Sequence, residues 1–466
     1  ARALRRAPAR APPRPRRRAA RHGMRLPGLP RARPEAVGLD GHGLRAHSKA
    51  NQRQVRRGLQ RGVAECVLKD NRLVFTDVRG KQDVEHGTPM TDRSLIRCYS
   101  ITKPITAFAL LALWEEGKLG LGDPVAKYIP EFAQMRVASK RHKPARARRP
   151  ITLRHLVTHT SGIGYGPSRK DRSHRLAACT DPDQARYFDF VRKVDSGAVP
   201  DLESWCKELA KLPLLFQPGE RYEYSYGMDV IGRVIEVASG MPLDRFLRQR
   251  VLLPIGMKDT AFFVTPQKAA RRLCANYEIR AYCEKSKFYT VRLDGKRPDH
   301  SAWVYGRSHR ILSGGGFASS CDGGLLSSLR DIALFCNVLA NRGYAHATGQ
   351  QVLGPDAVAA GCRSWLHLKS VTGRSSLKGW HDQSGYETLG WAPLGIRDGD
   401  SIFMGGLGSW SVDLRTRTVV VSAPNSYWQN FTVPLGWEDE VDDLEGAVRE
   451  AAASFKQARR QSLAGA

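Results

Sequence analysis

The chain is predicted to fold as an α+β protein: a central antiparallel sheet built from its N- and C-terminal segments, flanked by helices, with a mostly helical region inserted between them. Three observations predict this. Strand-like sequence lies near both ends, helical sequence fills the middle, and the regular strand–helix alternation of a parallel doubly wound sheet is missing. The sheet parts are placed at about 34–122 and 385–457, and the helical region at about 123–384. With 466 residues, 41% of them hydrophobic, the chain can bury a large core.

Residues 1–33 form a tail before the domain, which runs from 34 to 466. The first 34 residues hold about a dozen arginines, several prolines and no acid. Such a composition cannot collapse and is expected to be disordered. Three readings compete: an organellar transit peptide, a nucleic-acid-binding arm, and a fragment or over-extended start, since the chain begins at Ala1 and its first methionine is Met24. The transit peptide is preferred, implying an intracellular, mitochondrial or plastid location, although serine is scarce.

The remaining elements follow in order. Pro34–Leu39 marks the entry to the folded part, and 43–60 reads as a polar-faced helix. Val63–Leu68 and Leu73–Val78 are strands joined by the turn Lys69-Asp70-Asn71-Arg72. Pro104–Trp114 is a buried helix whose proline fits only in the first turn, where a missing N–H costs nothing. Gly117–Gly122 ends it. Leu153–Val157 leads into the loop His159-Thr160-Ser161-Gly162, whose histidine could line a site but reads first as a structural loop histidine. Met228–Ser239 is an amphipathic helix stopped by Gly240, and Cys321–Asn341 contains another. Short β-rich pieces follow at Gly390–Leu394, Ile402–Met404, Trp410–Leu414 and Val419–Ala423, and 438–457 is a final helix.

Charge and cysteines bound the function. The net charge is +29, but neither the tail nor the basic run Lys140–Pro150 carries the aromatic or motif support that nucleic-acid binding needs, so nucleic acid is not expected as a partner. The nine cysteines include no C-x-x-C pair, which suggests reduced thiols. Cys98, two residues before Ser100, reads as a small buried filler. No apolar run approaches a membrane span. The histidines show no metal-ligand spacing, and no cofactor is expected. Gly41–Ala46 imitates a dinucleotide fingerprint but follows proline-rich sequence and not a strand. There is no G-x-S-x-G elbow, H-E-x-x-H or Walker A motif.

The chemistry is carried by Ser100-Ile101-Thr102-Lys103 at the front of the apolar helix. Residues three apart on a helix share a face, which sets an amine beside a hydroxyl; a neutral amine can take the proton and activate the nucleophile. The helix dipole favours negative charge on Ser100. The tetrapeptide alone is weak, because Ser204–Lys207 and Ser375–Lys378 repeat it, and any one copy is ordinarily a surface serine with a solvated lysine. Two further motifs support the first copy. Tyr224-Ser225-Tyr226 offers a phenol as proton acceptor, against the plain alternative of an aromatic packed at a helix start. Met404-Gly405-Gly406-Leu407 follows a strand, and the N–H of Leu407 with that of Ser100 could form a donor pair for an oxyanion; a simple glycine turn is the competing reading.

In this order the pieces resemble the serine β-lactamase and penicillin-binding-protein superfamily, most closely its class C-type esterase branch. The likeness runs from about Pro34 to about residue 425 and includes Asp123–Pro130, Phe216-Gln217-Pro218-Gly219 and Pro254-Ile255-Gly256-Met257-Lys258-Asp259-Thr260. It implies a β-lactamase/transpeptidase-like fold, Ser100 as nucleophile, Lys103 as its partner, Tyr224 as the tyrosine of a Y-x-N motif, and Leu407 as oxyanion donor after Met404-Gly405-Gly406. Tyr226 stands where asparagine is usual, and Met404 where lysine, histidine or tryptophan is usual; with Gly405 and Gly406 the resemblance places them among the oxyanion and substrate-binding residues. Loss of that lysine removes a point charge for a substrate carboxylate. The function expected from the resemblance is a serine hydrolase or acyltransferase on small-molecule carboxylesters, with β-lactam or D-amino-peptide amide hydrolysis and a non-catalytic scaffold as alternatives. Oligomeric state is not readable.

Overall fold

The structure is a computed structural model that describes residues 24–139, 143–165, 182–282, 287–292, 311–316, 324–367, 389–406, 408–428, 447–454 and 457. Strands β1 (Gly62–Lys69) and β2 (Arg72–Asp83) form a hairpin. Its turn residues Asp70 and Asn71 both take positive φ, 48° and 61°. That is the backbone hand that matches strand twist, and Asp and Asn tolerate it well. Strand β3 (Thr88–Pro89) follows, and β4 (Leu366–His367), β5 (Gly390–Ala392), β6 (Gly395–Asp398), β7 (Ser401–Gly405), β8 (Ser409–Asp413) and β9 (Thr418–Ser422) come from the C-terminal part. They make one sheet in the order β4-β5-β6-β7-β8-β9-β1-β2-β3. The closing ladder is antiparallel, β1 on β9, with Cys66 opposite Val421. The two ends of the chain therefore share one sheet, as expected.

Both sheet faces are covered, which is why seven of the eight residues of β1 are buried. One face packs on α2 (Thr102–Glu115) and α4 (Leu329–Ala340) in the main core, and on α3 (Gly227–Ser239) beyond them. On the other face α1 (Gly41–Arg57) and the helical residues near Val448 and Ala451 cover Val67, Val74 and Val420. Every residue from Thr102 to Leu113 is buried, so α2 is a central helix without a polar face. Pro104 sits in its first turn. Among the described residues no helix is long and apolar enough to cross a membrane.

Several boundaries differ from the sequence reading. Residues 24–33, placed in the disordered tail, are folded: Met24, Leu26 and Leu29 are buried in the main core, and Pro30 and Ala32 exchange backbone hydrogen bonds with Leu73. Their apolar side chains alternate with arginine and proline, so local composition hid them. β4 falls inside the expected helical region, as do the strands Tyr277–Tyr282 and Lys287–Arg292, which form a small sheet with Ser426–Trp428 from the C-terminal part. Residues 438–446 of the expected last helix lie outside the described residues.

Candidate active site

Ser100 lies in a short 3₁₀ turn, Tyr99–Ile101, that runs directly into α2. The turn is fixed from three sides. The preceding strand Leu95–Arg97 pairs with Leu326–Ser328, and the N–H of Cys98 donates to the carbonyl of Leu325. Tyr99 has φ 47°, a left-handed conformation that costs a non-glycine residue about 1–2 kcal/mol, and its hydroxyl accepts from Asn276 Nδ2 at 3.1 Å. The end of β7 closes the third side. A Cβ on Gly406 would stand 2.3 Å from the carbonyl oxygen of Cys98, so only glycine lets the two backbones approach this closely. Ser100 itself is half-buried and reachable.

The three groups predicted to carry the chemistry converge. Ser100 Oγ is 2.8 Å from the Tyr224 hydroxyl, and Lys103 Nζ donates to Ser100 Oγ at 3.2 Å. Lys103 is 2% exposed and its ammonium nitrogen lies 4.7 Å from the Tyr224 ring centre, a cation–π distance. Burial pushes the Tyr224 phenol above its usual value, with the bond from Ser100 acting in the opposite direction. In the resting site the phenol therefore keeps its proton at neutral pH.

Other predicted residues take different positions. Gly405 is exposed at the end of β7, while Met404 is 3% exposed and packs with Ile402 into the main core. Tyr226 is 4% exposed, stacked among Tyr165, Phe190 and Trp205. It occupies the position before the first residue of α3, and the apolar cluster beneath holds its ring inside. Leu407 lies outside the described residues.

Sequence reasoning missed three contributors. Lys103 Nζ also donates to the carbonyl of Gly315 at 2.7 Å, in a Ser-Gly-Gly-Gly loop, 313–316, that carried no recognised signal beyond its glycines. Trp391 on β5 lies 5.8 Å from the Tyr224 ring, anchored by its Nε1–H on the Val157 carbonyl at 2.7 Å. His159, read as a structural loop histidine, is fully buried with its ring 4.5 Å from that of Tyr224. Its Nδ1 accepts the N–H of Ser225 at 3.1 Å, which leaves the proton of the neutral ring on Nε2. Burial, then the nearby Lys103 charge, depress its pKa well below 6.5.

Cys98 is buried and its thiol is pushed up by burial, as suits a filler. A cavity of about 870 Å³, lined by Leu339, Arg342, Cys362, Arg397 and Leu414 among others, is at the other end of the sheet strands. It contains no nucleophile–base pair.

A hydroxyl hydrogen-bonded to a buried amine and a phenol is an arrangement for acyl transfer. The family described as Beta-lactamase matches residues 51–426. The chain belongs to that family. Its relatives include the Mycobacterium tuberculosis protein named Protein Rv1367c, 32% identical over 65% of this chain and 67% of that one. Esterase EstB of Burkholderia gladioli is 34% identical over 49% of this chain and 54% of its own length. Among solved structures, EstCE1, titled a hydrolase with promiscuous acyltransferase activity, superposes with a TM-score of 0.59 at 22% identity, covering 82% of this chain and 94% of that one. The protein is thus a β-lactamase-family hydrolase with the fold shared by penicillin-binding-protein homologues.

Proposed function

We propose that the protein is a serine hydrolase or acyltransferase acting on carboxylesters through an acyl-enzyme on Ser100. The observation that carries this reading is the convergence on Ser100 Oγ of the Tyr224 hydroxyl at 2.8 Å, from 124 residues away in the chain, and of Lys103 Nζ at 3.2 Å. Ser100 Oγ attacks the ester carbonyl carbon, and its proton passes to the Lys103 amine in its neutral form, while the protonated Tyr224 phenol stays hydrogen-bonded to the reacting oxygen. The acyl–alkoxy bond breaks, and the alcohol leaves with that proton. Water, or an acceptor alcohol or amine, then attacks the acyl-serine and regenerates the hydroxyl. The N–H groups of Ser100 and Leu407 are the candidate oxyanion donors, each worth about 3 kcal/mol in comparable sites.

Esters are favoured over carboxylate-bearing amides by two substitutions. Met404 offers no cation for a substrate carboxylate, and Tyr226 is turned into the core and offers no amide. The names of EstB and EstCE1 are consistent with this choice. The test is active-site labelling of the full chain with a fluorophosphonate, alongside p-nitrophenyl ester turnover. Wild type should be labelled and Ser100→Ala should lose both signals. Strong labelling by a fluorescent penicillin would replace the ester reading with the amide one. An unlabelled, folded wild type would leave only a non-catalytic role.

A further inference from the structure

The side chain of Asp229 is wholly buried in the first turn of α3. A buried carboxylate needs partners, and Asp229 finds two of them in the loop that holds Lys103. Asp229 Oδ1 accepts the hydroxyl of Ser313 and the N–H of Gly315 at 3.1 Å. Ser313 Oγ in turn accepts the N–H of Gly316 at 2.6 Å. The loop is pinned a second time by Thr106 Oγ1, which donates to the Gly314 carbonyl at 2.8 Å. The contact is too close for any side chain at position 315: a Cβ on Gly315 would stand 2.2 Å from Asp229 Oδ2. The clamp fixes the Gly315 carbonyl where it accepts from Lys103 Nζ.

We propose that Asp229 is a positioning residue for the reaction proposed above: through the Ser313–Gly316 loop it fixes the direction of the Lys103 amine toward Ser100, and its buried negative charge sets the protonation of the Lys103–Tyr224 pair. Geometry supports the first half. Lys103 Nζ donates both to Ser100 Oγ and to the Gly315 carbonyl, and the second bond orients the first. Charge supports the second. The N-terminus of α3 favours an ionised carboxylate in its first turn, and the Asp229 charge contributes to raising the Tyr224 phenol. The other groups facing this pair are Ser100, neutral His159 from the 159–162 loop and the Tyr165 ring, 5.9 Å from Lys103 Nζ. None of them supplies a second negative charge.

Removing a buried negative charge favours deprotonation of every nearby group, cation or phenol. Asp229→Asn is therefore expected to lower kcat at least tenfold with little change in KM, and to move both limbs of the kcat/KM–pH profile to lower pH. Ser313→Ala keeps the charge and loosens the loop; it should lower kcat without moving the limbs. Asp229→Glu keeps the charge and should retain the wild-type limbs, whatever its rate. A rate loss in Asp229→Asn with unmoved limbs, or full activity in both Asp229→Asn and Ser313→Ala, overturns the proposal. If Asp229→Asn fails to fold, the Ser313→Ala rate and the Asp229→Glu limbs decide. Fluorophosphonate labelling of the wild type at Ser100 is scored first. Its absence would remove the reaction itself, an outcome distinct from loss of the Asp229 role.

Discussion

The chain carries the same tetrapeptide pattern on two described helices, and the two copies end in opposite states. Ser100 and Lys103 open α2; Ser204 and Lys207 lie on the helix Leu202–Leu209. Spacing and residue types match. Lys103 is 2% exposed and bonded to a hydroxyl and a carbonyl. The Lys207 side chain is 47% exposed and lies 2.7 Å from Glu203 and 3.8 Å from Glu131, carboxylates that raise its pKa and hold it as an ammonium. A permanently protonated amine cannot act as a base. What separates nucleophile from decoy is therefore the environment of the lysine and the arrival of Tyr224.

The largest effect should come from breaking the contrast directly. Lys103→Ala is expected to reduce ester kcat/KM by about 10²–10⁴-fold, the usual worth of a positioned acid–base group. Lys207→Ala should leave turnover unchanged. Equal losses in the two variants would show that burial of the lysine is not the distinguishing feature.

The decoy helix still matters to the site, as scaffolding. Its Trp205 is fully buried and packs edge-on to Tyr226 with ring centres 5.3 Å apart. Tyr226→Asn restores the residue usual in a Y-x-N motif, but removes a ring from this cluster and buries an amide. A loss of about 3–5 kcal/mol in unfolding free energy is expected, as for other large-to-small core changes, without any gain of penicillin labelling. Denaturant titration measures the first and gel fluorescence the second. A stable variant that gained labelling would show that Tyr226 faces substrate after all.

These two regions also show what a sequence can convey. Ser100, Lys103 and Tyr224 were legible because helical spacing is local and the surrounding phrases are specific. The β1–β2 hairpin was legible because Asp70-Asn71 is turn chemistry. Asp229 was not: its role depends on Ser313 and Gly315, more than eighty residues away, packing against α3. Tyr226 was misplaced for a related reason. Its motif position suggested substrate contact, while burial against Phe190 and Trp205 decided its direction. β6 was overlooked because Gly395-Ile396-Arg397-Asp398 has only one strand-favouring residue and gains its pairing from β5 and β7.

Adjacent glycines on the nucleophile side give a smaller test of how tightly that copy is held. Gly406→Ala forces a Cβ against the Cys98 carbonyl and should cost about 1–3 kcal/mol in stability, with slower labelling as the Ser100 turn shifts. Gly405→Ala meets no heavy atom within 4 Å and should be neutral on both counts. If Gly406→Ala behaved like Gly405→Ala, the end of β7 would not be what clamps the turn.

The smallest expected effect reports the charge of the buried lysine itself. His159 titrates well below 6.5 because it is buried and, secondly, because of the Lys103 charge. A base whose folded pKa is depressed contributes stability that is present above its unfolded value and is lost as pH falls toward the folded one. Lys103→Met removes the cation but leaves the burial. The His159 titration, followed by NMR of its ring, should move upward while staying below 6.5, and the acid loss of stability should shrink with it. An unmoved titration would mean that the lysine carries no charge in the resting site. Ser100 would then face a neutral amine already able to take its proton, with the raised phenol of Tyr224 as donor and not acceptor in that pair.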